Sequence, residues 1–183
     1  MKRIFNCVIC GEFSFSLFCK QCKKLIKPQI KYNDDVVSFY DYENIEYLIK
    51  YKYKKFGNFV FKELAKPFDV FSKNYPEKLN IIPVDDKTYK GYSHTAVLAS
   101  SMKKDNKLYS VLHAKSTVKY AGKSLEFRLQ NPREFIYKGP ENIDVVLVDD
   151  VVTTKTTLNE AKEVLKQHNV NVLFCLVLAD LRK

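Results

Sequence analysis

From residue 31 onward, short runs of unbroken apolar residues alternate with longer stretches in which apolar residues recur every three or four positions. "VVSFYDY" (Val36 to Tyr42), "KLNIIPV" (Lys78 to Val84), "KLYSVLHA" (Lys107 to Ala114), "VVLVDD" (Val145 to Asp150) and "VNVLFCLVLA" (Val170 to Ala179) are rich in β-branched and aromatic residues and read as strands. Between them, Ile45, Leu48, Ile49, Phe56, Val60 and Leu64 fall at approximately helical spacing with a break near Gly57, which predicts two short helices or one broken helix. "TAVLASSM" (Thr95 to Met102) and the amphipathic "TLNEAKEVLKQH" (Thr157 to His168) also read as helices. Strands apolar on both faces, separated by helices, predict a parallel sheet covered on both sides, and hence one doubly wound α/β domain over residues 31–183.

Residues 1–30 follow a different pattern. Cys7, Cys10, Cys19 and Cys22 form two C-x2-C pairs separated by eight residues, whereas Cys175 lies alone in an apolar run and reads as a small core residue. Nothing at the start resembles an export signal, so disulfides explain four closely spaced thiols poorly. Two such turns can present four thiolates to one tetrahedral Zn2+, and Gly11 suits the tight turn after the first pair. An iron–sulfur cluster is the alternative tenant. The segment is too short for a core of its own, so metal binding is expected to fold it.

The 183-residue chain has 31 basic and 21 acidic residues and a net charge of +10, which favours polyanionic ligands. Its longest apolar run is strand-length and carries Asn171, which predicts no membrane-spanning helix and a cytoplasmic protein.

The chemistry concentrates in "VVLVDDVVTTKTT" (Val145 to Thr157). In doubly wound sheets, ligands bind beyond the carboxyl ends of the strands. Asp149 and Asp150 sit at that end of the most apolar strand, and the turn after them opens a helix whose first N–H groups, with threonine hydroxyls, can cradle a phosphate. Carboxylates beside a phosphate need something uncharged or cationic between them, and ribose hydroxyls, with Mg2+ nearby, fit that gap. A strand end and a helix cap would by themselves explain only one acid and one hydroxyl.

These residues resemble the PRPP-binding motif of type I phosphoribosyltransferases, with Lys155 where the motif has glycine. The whole chain is similar to the ComF (ComFC) family of competence-associated proteins, which join a four-cysteine zinc module to a phosphoribosyltransferase-like domain. "IIPV", "KGYSH" (Lys90 to His94) and "RLQN" (Arg128 to Asn131) resemble further family segments, with departures at Asp85, Lys90, Ser93 and His94. The resemblance implies a type I phosphoribosyltransferase-like parallel sheet flanked by helices, with a small zinc module before it. It implies that Asp149 and Asp150 hold the ribose hydroxyls of PRPP, and that Val151, Val152, Thr153, Thr154, Lys155, Thr156 and Thr157 surround its 5′-phosphate. It places pyrophosphate at Val84 and Asp85, where the carboxylate is unhelpful unless Mg2+ bridges it, with Lys115 as counter-charge or plain surface lysine. His94 reads either as a ligand contact or as a capping group at a helix start. Whether PRPP is consumed with a nucleobase or only bound is left open, because no base-reading residues are recognisable.

A second reading concerns nucleic acid. "IKYKYKKFGNF" (Ile49 to Phe59) interleaves Lys50, Lys52, Lys54 and Lys55 with Tyr51, Tyr53 and Phe56, a pattern that suits single-stranded DNA and equally suits a solvated helix face. The N-terminal segment adds Lys2, Arg3, Lys20, Lys23, Lys24, Lys27 and Lys31 against one acid, Glu12. The family resemblance implies handling of imported single-stranded DNA during natural transformation. It extends to DNA-uptake helicase or membrane-channel partners and to a peripheral place at the inner membrane. At Lys155, a positive φ would strain lysine relative to glycine, whereas an ordinary φ would leave its ammonium to add charge to the phosphate turn.

Overall fold

The computed structural model describes residues 5–85, 87, 88, 91–116 and 125–182, without the side chains of 5, 125, 128 and 129. Lys2, Arg3, Lys90 and the Arg128 side chain lie outside the described residues.

Short polar turns and two C-x2-C pairs make up the N-terminal segment, where β1 (Phe5–Asn6) and β2 (Phe13–Ser14) pair antiparallel and α1 (Lys20–Leu25) follows. Phe18 and Ile26 are buried in the same apolar cluster as Phe39, Leu48, Phe61 and Leu98 of the following chain.

The hairpin of β3 (Lys31–Asn33) and β4 (Val36–Ser38) turns at Asp34, whose φ of 53° places it in the left-handed region. The strand expected over 36–42 is thus three residues long, because Tyr42 already opens a helix. The helical stretch then divides into α2 (Tyr42–Ile49), a 3-10 turn (Lys50–Tyr53), α3 (Gly57–Leu64) and α4 (Lys66–Asn74). α2 and α3 are the two short helices expected with a break near Gly57, and α4 is a further helix beyond the predicted stretch, set off from α3 because Pro67 lacks the N–H that would continue it.

β5 (Asn80–Pro83) and α5 (His94–Ser100) match their patterns. The strand expected over 107–114 does not form as one unit. It divides into β6 (Asn106–Lys107) at the edge of the main sheet and β7 (Leu112–Ala114), which pairs antiparallel with β8 (Phe135–Tyr137) in a separate ribbon. The division falls at Tyr109 and Ser110, where a φ of 58° at Ser110 interrupts an extended backbone. Between β7 and β8 lies α6 (Leu125–Gln130), and the chain ends with β9 (Asp144–Val152), α7 (Thr156–Gln167) and β10 (Asn171–Asp180).

The main sheet runs β3-β4-β10-β9-β5-β6, with every neighbouring pair parallel except the β3–β4 hairpin at the edge. Alternation along β9 divides the core: Val146 and Val148 face the helices α2 to α5, while Val145 and Leu147 face α7 and the β7–β8 ribbon. All four are fully buried, as a two-sided parallel sheet requires. No helix among the described residues is long and apolar enough to cross a membrane.

Candidate functional site

β5 ends at Pro83, opposite Val148, whereas β9 continues beside β10 as far as Val152. Past Val148, β9 therefore loses a strand neighbour on one side while its backbone stays paired on the other. Asp149 and Asp150 sit on this overhang, at the carboxyl end of the central strand, where the crevice of a parallel sheet opens.

The two carboxylates have different surroundings. Asp150 is buried, and its Oδ2 accepts a hydrogen bond from the Lys52 ammonium at 2.7 Å and lies 3.7 Å from His94 Nε2. Its Oδ1 accepts the Val151 N–H at 2.9 Å. Burial alone would raise its pKa, but the charges of Lys52 and His94 and the bond from Lys52 outweigh that and bring it down to about 2. Asp149 is half-buried and accepts the N–H of Asp150 at 2.8 Å. Burial first, and then the negative charge of Asp150, push its carboxyl up to about 7. Burial also holds His94 below the ordinary histidine range, against the opposing pull of Asp150. Its ring packs edge-on against Phe61, with centroids 5.7 Å apart. One ligand atom from each of His94, Asp149 and Asp150 lies within 4.8 Å of the others.

Lys52 reaches this place because the 3-10 turn is clamped. Tyr92 donates its hydroxyl to the Tyr51 carbonyl at 2.9 Å, and a Cβ on Gly57 would stand 1.9 Å from that hydroxyl and 2.0 Å from that carbonyl. Only glycine lets α3 start so close beneath the turn. Tyr92 and His94 thus give the "GYSH" segment two roles, while Ser93 caps α5 by accepting the Ala96 N–H at 3.1 Å.

Beyond the acids, the turn from Thr153 to Thr157 leads into α7, and Thr154 and Thr156 join hydroxyls at 2.9 Å. The first N–H groups of the twelve-residue α7 have no acceptor within the helix, which makes this turn suitable for an anion. Lys155 stands just before α7 with φ at 61°, in the left-handed region. Its ammonium is bound to Asp35 and lies 3.8 Å from Asp34. Lys162, two turns along α7, also binds Asp35. The Lys155 ammonium is therefore paired with acids of the β3–β4 hairpin and is not left free for the threonine turn.

Val84 and Asp85 follow β5 on the opposite side of the crevice, with Asp85 also at a left-handed φ of 47°. The Asp85 carboxylate is held by the chain itself: Oδ1 accepts the Ala114 N–H at 3.0 Å, and Oδ2 lies 3.5 Å from Arg133 Nη1. The carboxylate thereby ties the β5 loop to the β7–β8 ribbon. Lys115 is exposed at the end of β7.

At the N-terminus, one sulfur from each of Cys7, Cys10, Cys19 and Cys22 lies within 4.8 Å of the other three, with Cys10 and Cys19 Sγ atoms 3.8 Å apart. A tetrahedral ion about 2.3 Å from each thiolate sets the sulfurs about 3.8 Å apart, so the four cysteines can share one metal ion. The knuckle is shaped by backbone bonds from Gly11 N to Cys7 O at 2.8 Å and from Cys7 N to Glu12 O at 2.7 Å, with Gly11 at a positive φ of 77°. Cys175 is a buried core residue on β10.

Sequence reasoning grouped Lys52 with the DNA-facing lysines. Its ammonium instead enters the acid site, whereas Lys54, Lys55, Lys23, Lys24 and Lys50 are exposed, with Lys50 bound to Glu46 at 2.8 Å. Arg133 was not singled out, yet its charge acts on Asp149, His94 and Asp85. The one cue to it is an arginine directly after Pro132 in a loop.

No protein-family model matches the chain, and no curated protein does. Among solved structures, it is similar to a hypoxanthine phosphoribosyltransferase from Staphylococcus aureus (20% identity, TM-score 0.43, covering 66% of this chain and 62% of that one). It is also similar to UMP synthase from Leishmania donovani (16%, 0.43, covering 97% and 28%) and to adenine phosphoribosyltransferase from the same organism (15%, 0.44, covering 88% and 66%). The chain spans less than two thirds of the length of each. Similarity of this size says nothing about substrate.

A raised folded-state pKa at Asp149 means that the folded chain holds a proton which the unfolded chain has already released. This group therefore lowers stability progressively from about pH 4 to about pH 7 and by a constant amount above that. Asp149→Asn removes the effect. The difference in melting temperature, variant minus wild type, is expected to be positive at pH 7.5 and to shrink steadily towards pH 4. Differential scanning fluorimetry across this range checks it, and a difference independent of pH would contradict the assignment.

Proposed function

We propose that the chain binds PRPP as a phosphoribosyltransferase-like protein. The observation that carries the reading is the placement of Asp149 and Asp150 on the unpaired overhang of β9, immediately before a threonine turn at the start of α7. In this reading the carboxylates accept hydrogen bonds from the ribose hydroxyls. The N–H groups and hydroxyls of Thr153, Thr154, Thr156 and Thr157 take the 5′-phosphate. The Val84–Asp85 turn takes the pyrophosphate through its backbone, since the Asp85 carboxylate is already engaged. Mg2+ accompanies the pyrophosphate. Lys115, which is exposed, acts through its charge.

The four-cysteine segment, over about residues 1–30, is a zinc module in this reading. Four thiolates suit Zn2+ in both charge and geometry. Phe18 and Ile26 carry its fold into the main core. The combination supports a role like that of the ComF proteins, in which the chain handles incoming single-stranded DNA. The surface that supports this comprises the exposed Lys54, Lys55, Lys23 and Lys24 with the exposed rings of Tyr53 and Phe56.

Calorimetric titration with Mg2+ and PRPP tests the first reading. Wild type is expected to bind, and Asp149→Ala/Asp150→Ala to lose at least tenfold in affinity, while Lys155→Gly binds more tightly because glycine relieves the left-handed backbone. Absence of both heat and thermal stabilisation in wild type would overturn the PRPP reading. Pyrophosphate release with a panel of nucleobases then separates a consumed substrate from a bound ligand.

For the DNA role, the measurement is binding of an oligothymidylate across salt concentrations. Four phosphate contacts predict a slope of log affinity on log salt of about −3. No binding, or a slope near zero, would count against the role.

A further inference from the structure

The buried carboxylate of the acid site is already engaged with a cation supplied by the chain. The Lys52 ammonium lies 2.7 Å from Asp150 Oδ2, with its side chain 21% exposed and that of Asp150 only 8% exposed. His94 Nε2 approaches the same oxygen to 3.7 Å, and one ligand atom from each of His94, Asp149 and Asp150 falls within 4.8 Å of the others. Two carboxylates and an imidazole at such spacing are a donor set for a hard or borderline divalent ion. The place such an ion would take is contested by an ammonium. That ammonium does not arrive there by chance of a long side chain. Tyr92 holds the Tyr51 carbonyl, Gly57 permits the close approach beneath it, and Lys52 is the next residue.

On the PRPP reading, we infer that Lys52 is a built-in cation that takes the place of a protein-held divalent ion at Asp149 and Asp150, so that the carboxylates meet the sugar directly. The only divalent ion in the bound state is then the one carried by the diphosphate. Without the lysine, the same carboxylates and His94 become a divalent-cation site. Lys52 is thus a positioning residue: it fixes the orientation and charge of Asp150. A lysine is suited to this task because it presents a compact charge that the 3-10 turn can deliver to one carboxylate oxygen.

The test uses Mn2+ as the probe, on full-length chain already loaded with Zn2+ so that the cysteines are occupied. Mn2+ prefers oxygen and imidazole donors to thiolates, which keeps the two sites apart. Lys52→Gln is expected to melt about 3–5 °C higher at an Mn2+ concentration about ten times its Kd. Wild type and Lys52→Arg, which keeps the charge, are expected to be unmoved. Adding Asp149→Asn to Lys52→Gln is expected to abolish the rise. Should Lys52→Gln fail to fold alone, recovery of its circular dichroism on adding Mn2+ supports the inference. Failure to fold at any Mn2+ concentration overturns it, because the lysine would then do something a divalent ion cannot. An equal Mn2+ response in wild type, or none in a folded Lys52→Gln, overturns it as well. No PRPP enters the measurement, so failure of the PRPP reading would show in the calorimetry and not here.

Discussion

The parallel pairing of β9 with β10 is the constraint from which the rest follows. Val145 to Val148 are buried on both faces of β9, and Cys175 to Ala179 are equally buried on β10, with Cys175 opposite Leu147 and Leu176 opposite Val148. Each such side chain contributes on the order of 1.5–3 kcal/mol through burial, and sliding β9 one residue further into the sheet would carry the Asp149 carboxylate into the place of the fully buried Val148. The register is thereby fixed, and with it the point at which β9 outruns β5. The acid site is a consequence of that difference in strand length: on its β10 side the overhang is a normal strand, on the other it is the wall of a crevice.

Placing two carboxylates at the edge of this core has a cost that the chain meets unequally. Asp150 is given a partner, and removing one member of a buried ion pair generally costs about 3–5 kcal/mol because the other charge is stranded. Asp149 has no cation bonded to it among the described contacts, and with its carboxyl pushed up to about 7 it is only partly ionised near neutral pH. The pair therefore presents one fixed negative charge and one carboxyl whose charge responds readily to what binds next to it. An incoming hydroxyl or cation would find the first ready as an acceptor and would draw the second towards ionisation.

Lys155 is the residue at which sequence and structure bear on each other most directly. A lysine at left-handed φ costs about 1 kcal/mol relative to glycine. The ammonium recovers something by binding Asp35, which Lys162 also binds, so the start of α7 is fastened to the β3–β4 hairpin. The turn is thereby anchored where a glycine would leave it free. The anchor depends on Asp34 and Asp35, which in sequence are only a polar break between two short strands.

The elements with the strongest periodicity were legible in the sequence: β9, α7 and β10 appear within two residues of where their patterns place them, because a strand buried on both faces and a helix buried on one leave little choice of residue. The four-cysteine cluster was legible for a similar reason, since spacing within a C-x2-C turn is local. The single strand expected over 107–114 failed because β6 and β7 answer to different sheets, and β3 and β8 passed unnoticed because two- and three-residue strands carry no period. Of the site, the sequence by itself determined the acids and the threonine turn, which lie within nine consecutive residues and share one strand and one helix start. Only the tertiary structure decided their partners: Lys52 comes from 98 residues away, Asp35 from 120, and Arg133 reaches Asp85 across 48. Charges find one another through space, and nothing in the local sequence around Lys52 distinguishes the ammonium that turns inward from those that face solvent.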